Sequence, residues 1–277
     1  MKIFLTGGTG FIGSHFINEA LSRGIKVVAL RRSKLSKPKI PLFEDPLWLD
    51  KGMDEVVRED FWGCDILVHL AAHSANLPYD TLEQCIHWNV NIPLKLFRCA
   101  VAADLNNFII AGSCFEYGDS GMRYDLIPTD APLEPTLSYP ASKAMASIAF
   151  SQFAKELKLN LKILRIFQVY GEGEAENRLW PSLKKAALAG QDFYLTKGEQ
   201  IRDFSHVSKV VEELVIGVEK SSKEKNFFEI QNVGTGQSKS LREFVEYWWK
   251  TWDAKGKLYF GSKPYRDGEI MRYIPKL

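Results

Sequence analysis

The sequence predicts an α/β protein with a Rossmann-like, doubly wound parallel sheet and a smaller C-terminal α/β subdomain. Strand and helix patterns alternate along the chain, which is typical of a parallel sheet covered by helices on both faces. A glycine-rich turn directly follows the first strand. With 277 residues and 45% hydrophobic content, the chain is long enough to bury a sizeable core.

The first strand is the apolar run at residues 2–6, and a helical pattern follows a turn with glycines at every third position. Such glycines allow a tight turn and a close approach of the backbone to a pyrophosphate, which the helix N-terminus then faces. The spacing alone also occurs in ordinary turns, but its place between strand and helix favours dinucleotide binding. The residues expected to bind the dinucleotide here are Gly7, Thr9, Gly10, Phe11, Ile12 and Gly13.

The second strand, at residues 25–30, ends at Arg31 and Arg32. Folds that prefer NAD usually carry an acidic residue near this position, whereas guanidinium groups suit the 2′-phosphate of NADP. We therefore favour NADP(H) and leave NAD(H) as the alternative. A solvated basic turn would explain the arginines equally simply, because three lysines follow within eight residues of Arg31.

The remaining elements follow from periodicity and turn signals. Residues 65–72 form a buried-strand pattern whose small final residues, Ala71 and Ala72, permit the close approach of a ligand; we interpret His69 and His73 there as structural. The other predicted elements are strands at 47–49, 107–111, 159–167 and 227–232, helices at 54–59, 82–102, 139–157, 177–189 and 207–218, a solvated loop at 219–225, and a helix opened by a Ser240–Glu243 capping box.

Tyr139 and Lys143 lie four residues apart at the start of a predicted helix, so their side chains share one face. An ammonium beside a phenol lowers the pKa of the phenol from its ordinary value of about 10, which suits the phenol to acid–base work on a carbonyl or carbinol. The same spacing also fits an ordinary surface helix. The glycine-rich turn favours the catalytic interpretation.

Composition excludes several classes of protein. A net charge of +2, from 36 basic and 34 acidic residues, gives no nucleic-acid or membrane signature. The four cysteines lack metal-ligand or redox spacing, so we expect reduced thiols and no metal site. No apolar run is long enough to span a bilayer, and the strand at residue 2 leaves no room for a signal peptide; we expect a cytoplasmic protein.

These features and several motifs resemble the extended short-chain dehydrogenase/reductase family, in its nucleotide-sugar epimerase/dehydratase branch. The motifs are residues 6–13 and 69–72, Asn89, Ser113 before Tyr117 and Gly118, Tyr139 with Lys143, Arg165 with Tyr170 and Gly171, and residues 200–204 and 232–234. The resemblance implies a dinucleotide-binding domain at 1–170. It also implies a mainly substrate-binding subdomain at 171–277, from which residues near 201–220 return to the first domain.

The resemblance implies roles for single residues. Tyr139 is the acid–base group, Lys143 lowers its pKa and binds the nicotinamide ribose, and Ser113 hydrogen-bonds the reacting oxygen. Arg202 and Arg266 bind the substrate diphosphate, unless they only form surface ion pairs with Asp203 and Asp267. The resemblance adds Leu70, Ala71, Ala72, Asn89 and Phe167 to the cofactor site, and Cys114, Gln168 and Asn177 to the substrate site, although the family usually has asparagine at position 168.

Departures from the family pattern narrow the reaction. Dehydratases of the family follow the residue matching Ser113 with an Asp-Glu pair, and a decarboxylating branch also needs glutamate at position 115. Here the two places hold Cys114 and Phe115. Glu116 comes one residue late and, in an extended segment, would face the opposite side. Dehydration and decarboxylation are therefore disfavoured, and hydride transfer at a sugar carbon remains.

Segments 165–173, 198–204 and 266–271 are most similar to 4-keto-sugar reductases of the CDP-abequose synthase type. The resulting hypothesis is an NADPH-dependent 4-ketoreductase acting on a nucleoside-diphosphate 4-keto-6-deoxysugar. The alternatives are an NAD-dependent 4-epimerase and a non-catalytic dinucleotide sensor. Helices at 82–102 and 139–157 suggest a homodimer. Because relatives continue beyond the position of Leu277, we expect a trimmed or more open substrate side.

Overall fold

A seven-stranded parallel sheet forms the centre of the computed structural model, which describes residues 1–221, 227–266 and 268–277. Its strand order is β11-β6-β5-β4-β1-β2-β3, and every neighbouring pair is parallel. These strands are β1 (Lys2–Thr6), β2 (Lys26–Arg31), β3 (Leu47–Asp50), β4 (Ile66–His69), β5 (Asn107–Ser113), β6 (Asn160–Ile166) and β11 (Phe228–Val233). The order reverses between β1 and β4, as in doubly wound sheets, and confirms the predicted fold class.

Within the described residues, seven α-helices accompany the sheets. They are α1 (Phe11–Ser22), α2 (Leu82–Ile86), α3 (Ile92–Ala102), α4 (Ser138–Leu157), α5 (Leu179–Leu188), α6 (Val207–Ser221) and α7 (Leu241–Thr251). On one face of the main sheet, Phe16 of α1 and Leu214 of α6 pack on the strands. On the other, Phe97 of α3 and Phe150 of α4 do so. Both faces are buried, which explains why the central strands are continuously apolar rather than alternating.

The C-terminal part contains short strands in small sheets. These are β7 (Val169–Tyr170) with β10 (Ser205–His206), β8 (Phe193–Leu195) with β13 (Leu258–Phe260), and β9 (Ile201–Asp203) between β12 (Ser238–Ser240) and β14 (Arg272–Tyr273). Leu183, Leu195, Val245 and Trp249 form a separate core beneath α5 and α7. Helix α6 packs on the main sheet and β11 is one of its strands, so the chain returns to that sheet after residue 206. The division into domains at residue 170 stays a prediction.

Several predicted elements differ from the structure. The helix at 54–59 is instead two 3-10 turns, Met53–Glu55 and Arg58–Phe61. The helix at 82–102 is interrupted by a π-helical turn, His87–Asn91. Helix α6 continues to Ser221, so it extends into the predicted loop at 219–225. Residues 222–225 of that loop lie outside the described residues, and so does Asp267, the predicted ion-pair partner of Arg266. The strands of two or three residues were not predicted because they are too short to show a period.

Asp203, at the end of β9, joins the small sheets to the turn that follows β11. Its carboxylate is fully buried and accepts hydrogen bonds from the backbone N–H groups of Thr235 and Gly236, and from the hydroxyls of Thr235 and Ser205. The N–H distances are 2.9 and 2.7 Å. This buried carboxylate therefore holds the turn after β11 against β9 through several hydrogen bonds at once.

Replacing Asp203 with alanine should lower the free energy of unfolding by about 2–4 kcal/mol, because several buried donors lose their acceptor. Urea denaturation measures the change. Glu246→Ala is the matched control: its ion pair with Arg242 on α7 is half-exposed, so its loss should cost less than about 0.5 kcal/mol. Equal losses in the two variants would contradict the structural role of Asp203.

Candidate functional site

The glycine turn after β1 is closed by direct contact between backbones. A Cβ atom on Gly7, which has φ +74°, would lie 2.6 Å from the amide nitrogen of Ala71, and one on Gly13 would lie 2.1 Å from the carbonyl oxygen of Gly7. Gly10 caps α1 without a side chain, so nothing on the cap covers the first-turn N–H groups. This cradle, which a Cβ atom would fill, fits the pyrophosphate of a dinucleotide.

Thr6 and His69, at the ends of β1 and β4, hold the second side of the cradle. The Thr6 hydroxyl lies 2.8 Å from Nδ1 of His69 and accepts a 3.3 Å hydrogen bond from the N–H of Ala71. Burial, and then the charge of Lys143, lower the pKa of His69 to about 3. His69 is therefore neutral. It packs edge-on against Phe97 and positions the Leu70–Ala71 backbone rather than transferring protons.

Asn89 lies in the π-helical turn and is buried. Its side chain accepts a 2.7 Å hydrogen bond from the N–H of His73 and donates to the His73 carbonyl oxygen and to the Ser142 hydroxyl, at 3.1 and 2.9 Å. Asn89 thereby joins the loop after β4 to α4. Asn89 therefore holds the loop after β4 in place through hydrogen bonds. Direct contact between Asn89 and a cofactor stays a prediction.

Ser113, Tyr139 and Lys143 come together where β5 meets the first turns of α4. Ser113 ends β5, and its hydroxyl acts to lower the pKa of the Tyr139 phenol. Lys143 donates from Nζ to the carbonyl oxygen of Ala111 on β5, at 2.7 Å. All three side chains are buried. The arrangement places a hydroxyl and a phenol beside one another, with an ammonium one turn along α4, which suits proton transfer to a carbonyl oxygen.

The protonation state of Tyr139 differs from the sequence-based expectation. Burial raises the pKa of Tyr139, with smaller contributions in the same direction from Tyr79, Glu116 and Cys114, while the hydrogen bond with Ser113 lowers it. The pKa of Tyr139 therefore shifts in the direction opposite to the predicted lowering by Lys143. Burial also lowers the pKa of Lys143. At neutral pH Tyr139 is a protonated phenol, and so a proton donor.

The prediction of an extended segment after Ser113 is wrong, because residues Cys114–Tyr117 form a 3-10 turn. The carboxylate of Glu116 turns inward and is fully buried, accepting hydrogen bonds from the Ser113 N–H at 2.7 Å and Nε of Arg165 at 2.9 Å. Burial raises the pKa of the Cys114 thiol to about 12, so the thiol stays neutral. The segment therefore directs no carboxylate towards a substrate.

Three of the five predicted substrate residues line one small pocket beside Ser113. Its walls are Cys114, Phe115, Phe167, Gln168, Arg202, Ile270 and Tyr273. Arg202 donates to the carbonyl oxygens of Ile201 and Ile270 and lies 3.5 Å from the Glu269 carboxylate, so its ion pair is not with Asp203, as the alternative supposed. Asn177 and Arg266 are exposed and lie outside this pocket wall.

Two residues near the site were missed in the sequence. The ring of Tyr79 lies 5.3 Å from that of Tyr139, centroid to centroid. Burial raises the pKa of Tyr79, and the positive charges of Arg178 and Arg266 act to lower it. The loop containing Tyr79 has no period, and Arg178 precedes α5 without a recognisable motif, so neither gave a signal.

Arg31 and Arg32, at the end of β2, have different surroundings. Arg31 donates to the carboxylate of Asp50 at the end of β3 and lies over the Trp48 ring. Its hydrogen bond lowers the pKa of Asp50. Arg32 is exposed. The Asp50 carboxylate, which no local sequence pattern indicates, therefore lies beside the predicted 2′-phosphate site.

In the described part of the chain, no group of three His, Cys, Asp or Glu side chains is arranged to hold a metal ion. None of the described helices combines the length and apolar content needed to cross a membrane.

Comparison with known proteins supports the interpretation of the glycine turn as a dinucleotide site. The model of the NAD dependent epimerase/dehydratase family matches residues 3–234. UDP-glucose 4-epimerase of Corynebacterium glutamicum is 28% identical, over 89% of this chain and 79% of its own. CDP-abequose synthase of Salmonella muenchen is 27% identical, over 98% and 87%. Among solved structures, MoeE5 in complex with UDP-glucuronic acid and NAD is 25% identical over the whole chain and 90% of its own, with a TM-score of 0.83.

Gly13→Ala should weaken dinucleotide binding by about 100-fold or more, because the added methyl group collides with the Gly7 carbonyl and displaces the phosphate-facing turn. Titration of NADPH and NADH fluorescence measures the affinity. Gly24→Ala, in the turn after α1, is the control: its φ of +72° strains an alanine and should lower stability, but a Cβ there meets nothing within 4 Å, so the affinity should be unchanged. Undiminished binding by Gly13→Ala would refute the cradle.

Proposed function

The chain belongs to the NAD dependent epimerase/dehydratase family and is an enzyme of that family, and from this premise we propose that it is an NADPH-dependent 4-ketoreductase of a nucleoside-diphosphate 4-keto-6-deoxysugar. The observation that carries the proposal is the buried, protonated Tyr139 next to Ser113, in a site without a carboxylate at positions 114 and 115. Membership in a family of enzymes also argues against the non-catalytic sensor.

The proposed reaction needs a proton donor rather than a base. A bound nicotinamide would supply the hydride to C4 of the sugar. Tyr139 gives its phenolic proton to the carbonyl oxygen, which becomes the C4 hydroxyl, and the phenolate then regains a proton from solvent. Ser113 donates a hydrogen bond to the same oxygen as negative charge develops on it. A phenol whose pKa is raised by burial starts in the form that this direction requires.

The site lacks the acid and base groups that elimination and decarboxylation require. A neutral thiol at Cys114 and an aromatic ring at Phe115 accept no proton, and the Glu116 carboxylate is engaged by Ser113 and Arg165. Simple reduction asks nothing further of these positions. The 27% identity to a CDP-abequose synthase over nearly the whole chain points the same way.

The substrate is proposed to enter the pocket beside Ser113. Arg202 lines this pocket, and its guanidinium suits a diphosphate once it exchanges Glu269 for phosphate oxygens. Arg266 and Asn177 would contact the substrate from the exposed rim.

We also propose a homodimer, because α4 exposes Met145 and Ile148 as an apolar strip, 45% and 61% exposed.

The second candidate function is an NAD-dependent 4-epimerase. Two observations favour it: the 28% identity to a UDP-glucose 4-epimerase, and the Asp50 carboxylate beside Arg31, since an acid near the adenosine ribose favours NAD. Tightly bound NAD in the purified protein, together with inversion at C4 of a nucleotide sugar without added cofactor, would select this candidate.

Purified protein should oxidise NADPH in the presence of a nucleoside-diphosphate 4-keto-6-deoxysugar, and Tyr139→Phe should lower kcat by about 10²- to 10⁴-fold, because the proton donor is lost. CDP-, UDP- and dTDP-linked 4-ketosugars are the substrates to compare. Tyr194→Phe, an exposed tyrosine on β8, is the control. Failure to oxidise NADPH with any of these sugars would exclude the ketoreductase.

Arg32→Ala should raise the KM for NADPH by about 10-fold or more and leave that for NADH nearly unchanged, because only NADPH carries the 2′-phosphate. Initial rates with each cofactor give the two values. Lys26→Ala removes the same charge at the opposite end of β2 and serves as the control. Equal effects on both cofactors would count against NADP preference.

A further inference from the structure

Glu116 is a charged residue directly behind Ser113, and the proposed reaction does not use it. One carboxylate oxygen accepts the Ser113 N–H at 2.7 Å, and the other accepts the Ser147 hydroxyl at 2.7 Å and Nε of Arg165 at 2.9 Å. Gly112 makes room for the carboxylate, since a Cβ atom there would lie 2.8 Å from Glu116 Oε1.

These three bonds connect the elements that carry the reacting groups. Ser113 ends β5 and Arg165 lies on β6. Ser147 lies on α4, one turn beyond Lys143 and on the same helical face. The carboxylate therefore sets the separation between the strand that carries Ser113 and the helix that carries Tyr139 and Lys143.

A second connection between β5 and α4 is the hydrogen bond from Lys143 to the Ala111 carbonyl. Lys143 would bind a nicotinamide ribose either with its remaining N–H donors or by leaving this carbonyl. The Glu116–Ser147 bond does not involve a reacting group, so it does not depend on which of these Lys143 does. Burial is the largest influence on the pKa values of Tyr139 and Lys143, and the charge of Glu116 acts to raise both.

We propose that Glu116 is a positioning residue for the reduction, which holds Ser113 at a fixed distance from Tyr139 by binding β5, α4 and β6 at one point. This proposal depends on the proposed function only because the rate of the catalysed reaction is used to measure the effect of Glu116. A carboxylate at position 116 thus acts through the serine, in contrast to the dehydratases, in which the carboxylates at the two preceding positions act on the substrate.

A double-mutant cycle tests the proposal. Glu116→Gln alone should lower kcat by about 10- to 100-fold with little change in KM, because Ser113 is displaced from the reacting oxygen. In a Ser113→Ala background the same substitution should lower kcat by less than about 3-fold, because the group it acts through is already gone. Multiplicative losses would overturn the proposal.

Two variants separate positioning from a general loss of structure. Tyr117→Phe removes a hydroxyl that bonds Arg165 and Asn232 in the same buried network without touching Ser113; it should lower thermal stability but leave kcat within about 2-fold. Ser147→Ala removes one bond to the carboxylate without leaving a buried charge unpaired, and should give a smaller, equally Ser113-dependent loss. It replaces Glu116→Gln in the cycle if that variant does not fold.

The cycle is run with ketoreduction or 4-epimerisation, whichever the wild-type protein catalyses. A protein that only epimerises would refute the ketoreductase and still test Glu116. If the wild type catalyses neither, the crystal structure of the Glu116→Gln or Ser147→Ala variant decides. Displacement of the Ser113 hydroxyl relative to Tyr139 would support the proposal, and an unmoved hydroxyl would overturn it.

Discussion

All seven strands of the main sheet run in the same direction, and this constraint places the whole site. Parallel strands end at a common edge, so residues far apart in sequence meet there: Gly7 after β1, Leu70 after β4, Ser113 on β5 and Phe167 after β6. The edge lies next to the reversal of strand order between β1 and β4, where doubly wound sheets open a crevice. Helix α4 then needs only to lie against β5 to bring its tyrosine and lysine to the same place.

Behind this edge, the protein buries an ion pair instead of an apolar contact. Glu116 and Arg165 are almost fully buried, and Arg165 also donates to the Tyr117 hydroxyl and the Thr129 carbonyl. Desolvating two charges is expensive, and such pairs add little net stability compared with hydrophobic replacements. Their hydrogen bonds have narrow geometric requirements, however, which suits a place where strand ends must keep fixed positions.

The sequence allowed the prediction of the glycine turn, the central strands and the tyrosine–lysine pair because each has a local period or spacing. It did not allow the prediction of the conformation after Ser113, since a glutamate that accepts the Ser113 N–H converts an apparently extended segment into a 3-10 turn. Nor did it indicate Asp50, whose position beside Arg31 depends on the register between β2 and β3. Tertiary contacts also decide the protonation of Tyr139, because burial raises its pKa.

The pairing of Arg31 with Asp50 has a consequence for how the enzyme selects its cofactor. If the cofactor is NADP(H), as we propose, its 2′-phosphate would compete with the Asp50 carboxylate for the Arg31 guanidinium, and the preference would depend on a balance between two anions rather than on the shape of a pocket. Both side chains remain in contact with solvent, at 14% and 29% exposure. Mobile ions screen such partly buried charges less than fully exposed ones, so the competition between Asp50 and the proposed 2′-phosphate would persist over a wide range of ionic strength.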